Sequence, residues 1–355
     1  MSGRPLLVLR PAVDQPCREN RMHRILETAL TKCGVAYQVI ETAQALSEID
    51  LTNRALLFAV ALSEEDVNLE AVRMLAYFRK SPDCLSGSVA GVVVDGGGEL
   101  STKAVARELI FTANGCGCLF PGKPLVEATG SLANFQVMAG LQQTDLLGAY
   151  QNQVLALVEK VTNFSLPKME VPKILMVHAG NRRTSNTLLL WDQIREQLGE
   201  QVQVTEVSLR NGEVLDCRGC SYESCVHLGE QADCFYGGVI VEQAYPALLQ
   251  ADTIVMVCPN YNDSVGANIL AFINRLSALY RANDFSSKRV FAIVVSGYSG
   301  GDLVAQQILG AMNCNKNMIL PPKFALLETA NDPGSILQVP GIQERIRLFA
   351  TGLLP

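Results

Sequence analysis

Four cysteines and a histidine fall within nineteen residues, DCRGCSYESCVHLGEQADC from 216 to 234, in a chain that has only three histidines. Thiolates so grouped can hold a [4Fe–4S] cluster, share zinc with a histidine, close as redox disulfides, or merely pack. Cys217, Cys220, Cys225 and Cys234 follow C-x2-C-x4-C-x8-C, which makes them candidate cluster ligands, and His227 keeps a Cys3His zinc site open as an alternative.

Three further stretches carry donors for a ligand. HAGNRRTSNT, 178 to 187, offers Arg182, Arg183, Thr184, Ser185, Asn186 and Thr187 at the opening of a helical pattern. Guanidinium groups, hydroxyls and the free amides of a helix start make a phosphate cradle, whereas an ordinary N-cap needs only one Ser or Thr. CPNYNDSVGANI, 258 to 269, breaks a strand at Pro259 and Asn260 and presents Tyr261, Asn262 and Ser264, enough to meet a flat heteroaromatic ring; a capped helix start at Asp263 or Ser264 is the plainer reading. SGYSGG, 296 to 301, lets backbone approach a ligand at Ser296, Gly297, Tyr298 and Gly300, because glycine has no Cβ. His178 closes a strand at the same edge and reads as a packing or hydrogen-bonding residue.

Those loops need a scaffold that brings strand ends together. In the second half KILMVHAG, QVQVTEVSL, DTIVMVCP, RVFAIVVSG and PKFALLET read as strands, with helical spacing at 185–198, 241–250, 265–281 and 301–312. Alternation of apolar strands with helices predicts a parallel sheet covered on both faces, with ligands beyond the carboxyl ends of its strands. The first half repeats the plan: PLLVLRP, AYQVIE, RALLFAVAL, GSVAGVVVDGGG and KPLVEA as strands, with helices near 18–34, 66–79 and 101–113. VAGVVVDGGGELSTKAVARELIFTANGCGC lies over VFAIVVSGYSGGDLVAQQILGAMNCNKN, so the chain reads as an internal duplication. The expected organisation is a domain at 1–162, a Pro-containing linker at 163–172 and a second domain at 173–355 that alone holds the 216–234 insertion.

Residues 173 to about 330 resemble the NADPH-dependent FMN reductase family of flavodoxin-like proteins, and particularly its iron–sulfur flavoprotein branch. The family's first loop is matched by Arg182, Ser185, Asn186 and Thr187, its second by Pro259, Asn260, Tyr261, Ser264 and Val265 with FINR at 272–275, and its third by SGYSGG. The resemblance implies a flavodoxin-like α/β fold, FMN held by these loops, and hydride transfer from NADPH or NADH through FMN to an acceptor, a small molecule or a protein. Gly180 stands where the family often has a serine, with Arg183 nearby to compensate, and Ala271 where it often has a lysine. The branch's cysteine cluster is tighter than the one here.

The same loops in the first half carry carboxylates, Asp14 and Glu19 in one and Glu64, Glu65 and Asp66 in the next, which repel phosphate. That half is expected to have lost flavin binding and to serve structurally, as a built-in partner in place of, or beside, a homo-oligomer. GCLFPGK, 117 to 123, has the spacing of a nucleotide-binding loop, but Pro124 replaces the hydroxyl residue that holds magnesium and a strand follows where a helix is needed.

Composition narrows the function further. Apolar residues make up 48% and charged residues 18%, in runs too short to span a membrane, and the start MSGRPLLVLRPAVDQ breaks too early for a secretion signal, so a cytoplasmic protein with reduced thiols is expected. A net charge of -6 without a basic stripe argues against nucleic acid. No Ser-His-acid or paired-carboxylate constellation is present. Two other readings stay open: an electron carrier between protein partners with no nicotinamide site, and a flavin-free regulatory or scaffolding protein.

Overall fold

The computed structural model describes residues 6–13, 21–210 and 214–355. It divides into two compact units, Met1–Ser165 and Leu166–Pro355.

In unit 1 the strands are β1 (Leu6–Leu9), β2 (Tyr37–Ile40), β3 (Ala55–Ala61), β4 (Val89–Asp95) and β5 (Leu125–Ala128), all parallel in the order β2-β1-β3-β4-β5. Central β3 and β4 are apolar at nearly every position because helices cover both faces, and they are buried almost throughout, while edge strand β2 exposes most of its residues. The helices are α1 (Arg21–Cys33), α2 (Ala43–Leu46), α3 (Leu69–Lys80), α4 (Thr102–Gly115), α5 (Gln136–Gln142) and α6 (Leu146–Asn163). α6 lies so close on β4 that a Cβ added at Gly91 would stand 2.8 Å from Leu157 and 2.9 Å from Val161. A glycine inside a central strand is the residue that such an approach requires.

Unit 2 repeats the plan with β6 (Lys173–His178), β7 (Gln203–Ser208), β8 (Thr253–Pro259), β9 (Arg289–Ser296) and β10 (Ala325–Thr329), again all parallel and in the order β7-β6-β8-β9-β10. Its helices are α7 (Asn186–Glu196), α8 (Tyr222–Glu230), α9 (Tyr245–Gln250), α10 (Ala267–Ala282), α11 (Gly301–Ile308) and α12 (Ile342–Leu353). Trp191, Ile194, Phe291, Ile346 and Phe349 form the core where α7 and α12 cover the sheet. The two strand orders are identical position for position, and both are the flavodoxin-like doubly wound order.

Hydrogen bonds fix how the copies superpose. Val89 bridges Leu119 as Arg289 bridges Ile319, so Val89 corresponds to Arg289, one residue earlier than the textual overlay of the two stretches suggests. Asp95 therefore matches Val295, since Asp95 pairs with Ala61 and Val295 with Pro259. Past α11 the helix widens into a π-helical stretch, Leu309–Asn315, where α4 ends as a regular helix. Asn114 accordingly donates to the Cys118 carbonyl, four residues on, and Asn313 to that of Met318, five residues on.

The expected strands and the helices between them are present, with five additions: α2 lies between β2 and β3, α5 and α6 close unit 1, α12 closes unit 2, and the cysteine stretch contains α8. Among the described residues no helix is long and apolar enough to cross a membrane.

Candidate functional site

Four of the loops that leave the carboxyl edge of the unit 2 sheet, those after β6, β8, β9 and β10, are tied together by named contacts. Ser185 caps α7, accepting from the Leu188 amide at 3.2 Å. The amides of Asn186 and Thr187, next in the first turn, have no partner within the helix, and the helix dipole favours an anion in front of them. The Asn186 side chain is spent on structure: Nδ2 donates to the carbonyls of Ala330 (3.1 Å) and Asp332 (2.8 Å), and Oδ1 accepts from the Gly334 amide at 2.8 Å. It thereby locks the loop after β10 onto the start of α7. Sequence reasoning did not single out that fourth loop; its signal was the polar run ETANDPGS after the last strand.

The second and third loops meet at Asn260, whose Nδ2 donates to Ser296 Oγ (3.1 Å) and the Ser299 carbonyl (2.8 Å) and lies 3.3 Å from Asp263 Oδ1. Its Oδ1 is buried without a hydrogen-bond partner. Asn262 and Asp263 both take left-handed backbone, and an antiparallel bridge between Tyr261 and Ser264 closes the turn. Gly300 sits at φ +80, where a Cβ would stand 1.8 Å from Asp263 Oδ1; at Gly297 it would stand 3.1 Å from Asn331 Oδ1. Glycine at 300 is thus demanded by both torsion and space. The α10 helix starts at Gly266 with no side-chain cap, so the plainer reading of Asp263 or Ser264 as its cap does not hold. Instead Ser264 Oγ and the Val265 amide both reach Gln307 Oε1. Tyr261 and Tyr298 present open aromatic faces, 59% and 84% exposed.

The two arginines differ. Arg182 is ion-paired with Asp192 at 3.2 Å and with Glu206, and both carboxylates raise its pKa. Arg183 is exposed, and its backbone amide donates to Asn181 Oδ1. Behind the pair His178 is 2% exposed, with Nε2 3.2 Å from Glu206 Oε1 but outside hydrogen-bond geometry. Burial pushes the imidazole below its usual pKa against the pull of Glu206.

The structure does not gather the four insertion cysteines: among the described residues no group of three or more His, Cys, Asp or Glu side chains is arranged to hold a metal ion. Cys217 and Cys220 are exposed beside Tyr236, whereas Cys225 and Cys234 are half-buried and neighbour the Tyr245 hydroxyl. The insertion is anchored along α10. Arg275 donates to the Leu215 and Gly237 carbonyls, Asn274 to Asp216, and Gly229 on α8 meets the Ala278 backbone so closely that a Cβ would stand 2.1 Å from its carbonyl oxygen.

In unit 1 the matching edge carries a buried ion pair. Arg21 Nε donates to Asp95 Oδ2 at 3.0 Å, a second bond joins the same pair, and the guanidinium also reaches the carbonyls of Gly96, Thr129 and Gly130. Glu65 accepts from Ser63 and Asp66 Oδ2 from Ser101, so the second loop stays acidic, while Asp66 Oδ1 is buried without a hydrogen-bond partner among the described residues. Asp14 and Glu19 lie outside the described residues.

A parallel sheet with a helix start, a left-handed Asn-Asp turn and a glycine loop at its carboxyl edge defines the class: a flavodoxin-like α/β unit. Residues 172–332 match the family model of NADPH-dependent FMN reductase. The match covers most of unit 2 and a little under half of the chain. No curated protein sequence matches the chain. Among solved structures, an NAD(P)H:quinone oxidoreductase from Methanothermobacter marburgensis is similar at 15% identity and TM-score 0.36, over 51% of this chain and 94% of that one. An FMN-dependent NADH-azoreductase from Bacillus anthracis is similar at 12% identity and TM-score 0.36, over 52% and 100%.

Proposed function

We propose that unit 2 binds FMN at the carboxyl edge of its sheet and passes reducing equivalents from NADPH or NADH to a small-molecule or protein acceptor. The observation that carries this reading is the convergence of the helix-start amides with the Asn260–Ser296–Gly300 network on one edge. The residues suit the group: Asn260 Oδ1 is a buried acceptor without a partner, and at Gly300 the glycine loop takes a backbone path where a Cβ would clash.

Bound FMN supplies the chemistry, two-electron uptake from the nicotinamide and release to the acceptor. The chain's part is binding and orientation. The Asn186 and Thr187 amides, the Ser185 hydroxyl and Arg183 hold the phosphate; Arg182, already committed to Glu206 and Asp192, steers it more weakly. Pro259, Asn260, Asn262, Ser264, Ser296 and Gly297 shape the floor, and Tyr261 and Tyr298 offer faces on which a planar ring stacks. The insertion forms a wall along α10, and its cysteines, apart as they stand, serve that wall and not a cluster.

An anaerobic absorption spectrum of the purified protein with added FMN tests this directly. A bound-flavin band that bleaches with NADPH or NADH is expected. Bleaching only by a protein donor points to an electron carrier, and no uptake of FMN by a folded protein sinks the reading. Arg183→Ala should weaken FMN about tenfold, the scale of one charge-assisted hydrogen bond, while leaving riboflavin, which lacks the phosphate, unchanged.

A further inference from the structure

Unit 1 holds a thiol pair remote from the loops discussed above. Cys84, half-buried, lies in the turn between α3 and β4, and Cys116, buried, follows the end of α4. The Leu85 amide donates to the Cys116 carbonyl at 3.1 Å. That bond holds the turn carrying Cys84 against the end of α4 at Cys116. Next along, Gly117 lies so near Ser86 that a Cβ there would stand 3.2 Å from its Cα. The Cys116 sulfur is within hydrogen-bonding reach of the Phe78 carbonyl (3.1 Å) and of the Cys84 sulfur.

We propose that Cys84 and Cys116 form a peroxide-sensitive modification site that closes reversibly into a disulfide. Half-exposed Cys84 meets the oxidant. Its thiolate attacks the outer oxygen of a hydroperoxide, breaking the O–O bond, releasing the alcohol or water, and leaving a sulfenic acid on Cys84. The Cys116 sulfur then attacks the Cys84 sulfur, the S–O bond breaks, and water leaves with the Cys116 proton. In sum two thiols and one hydroperoxide give one disulfide, one alcohol and one water, the hydroperoxide taking the two electrons. The Cys116 hydrogen bond holds the Cys84 thiol below its usual pKa, against the opposing charges of Cys118 and Asp83, which favours Cys84 as the attacking partner. In unit 2 the same turn holds Asp284, to which Asn317 donates at 3.3 Å, so the thiol pair is a property of unit 1 alone.

The test is residue-resolved thiol mapping of the full chain after a short exposure to hydrogen peroxide. A peptide cross-linked between Cys84 and Cys116 that dithiothreitol reopens is expected within the time in which buried Cys258 stays unmodified. In Cys116→Ser, Cys84 should accumulate as a sulfenic acid trapped by dimedone. Oxidation of Cys84 to sulfinic acid in the unaltered protein without a cross-link overturns the proposal. So does a cross-link to Cys118, or oxidation confined to exposed Cys217 and Cys220 while Cys84 and Cys116 remain thiols.

Discussion

Arg21 on α1 and Asn186 on α7 occupy matching places in the two units, and both donate to the backbone that follows the last strand: Arg21 to Thr129 and Gly130, Asn186 to Ala330 and Asp332. Facing them are Asp95 in unit 1 and Val295 in unit 2. A long cation needs a buried anion beside it, so the two substitutions belong together. With them a guanidinium lies buried at the edge of unit 1, its charge neutralised. The shorter amide in unit 2 performs the same tethering without a charge. One strand order thus carries a buried ion pair at one edge and a neutral amide tether at the other.

The largest expected effect breaks the ion pair. Arg21→Ala leaves Asp95 buried and unpaired and should cost unit 1 about 3–5 kcal/mol. Trp191, the chain's only tryptophan, lies in unit 2, so its fluorescence should report an unshifted urea transition while circular dichroism reports early loss of unit 1. Writing unit 2's residues into unit 1, Arg21→Asn with Asp95→Val, should recover most of that loss; equal destabilisation by the single and double variants would show that the pair is not the coupled unit described here. Asn186→Ala strands two carbonyls and an amide and should lower the Trp191-detected stability by about 2 kcal/mol, with weaker FMN binding as the loop after β10 loosens. Gly300→Ala, at φ +80 and against Asp263, should cost about 1–2 kcal/mol and detach the second loop from the third.

The smallest effect is a pH dependence. Burial holds His178 neutral in the folded unit, while in the unfolded chain it takes a proton at about pH 6.5. The unfolded state therefore binds more protons, and unit 2 should lose stability as pH falls through that value, levelling off below the lowered folded pKa. His178→Gln should flatten the slope of the Trp191 urea midpoint between pH 7.5 and 5.5; an unchanged slope would assign it to other groups.

The strands, the duplication and the three loops were legible because they are local: a strand buried on both faces writes itself as an apolar run such as Val89–Asp95, and a glycine turn stays visible in SGYSGG. Pairings across the sheet were not legible. Arg21 and Asp95 are 74 residues apart, and Arg182 finds Glu206 on a neighbouring strand, so the guanidinium that the sequence offers to a phosphate is already engaged by carboxylates. Asn186 likewise reads as a ligand contact, yet its side chain serves the fold and only its amide remains for an anion. The insertion's cysteines looked grouped in one dimension, but α8 intervenes and spreads them.

The π-helical stretch after α11 also records how the copies diverged. From Val89 to Arg289 and from Leu119 to Ile319 the numbering differs by 200, but between those points Asn114 and Asn313 differ by 199. A residue lost ahead of the helix is regained inside it, so everything downstream returns to register without any strand having shifted. Helices can absorb such a length change by widening one turn, whereas a strand would have turned its side chains to the wrong face. Ancestral insertions and deletions in folds of this kind should therefore be sought as compensating pairs, the second hidden where a helix bulges.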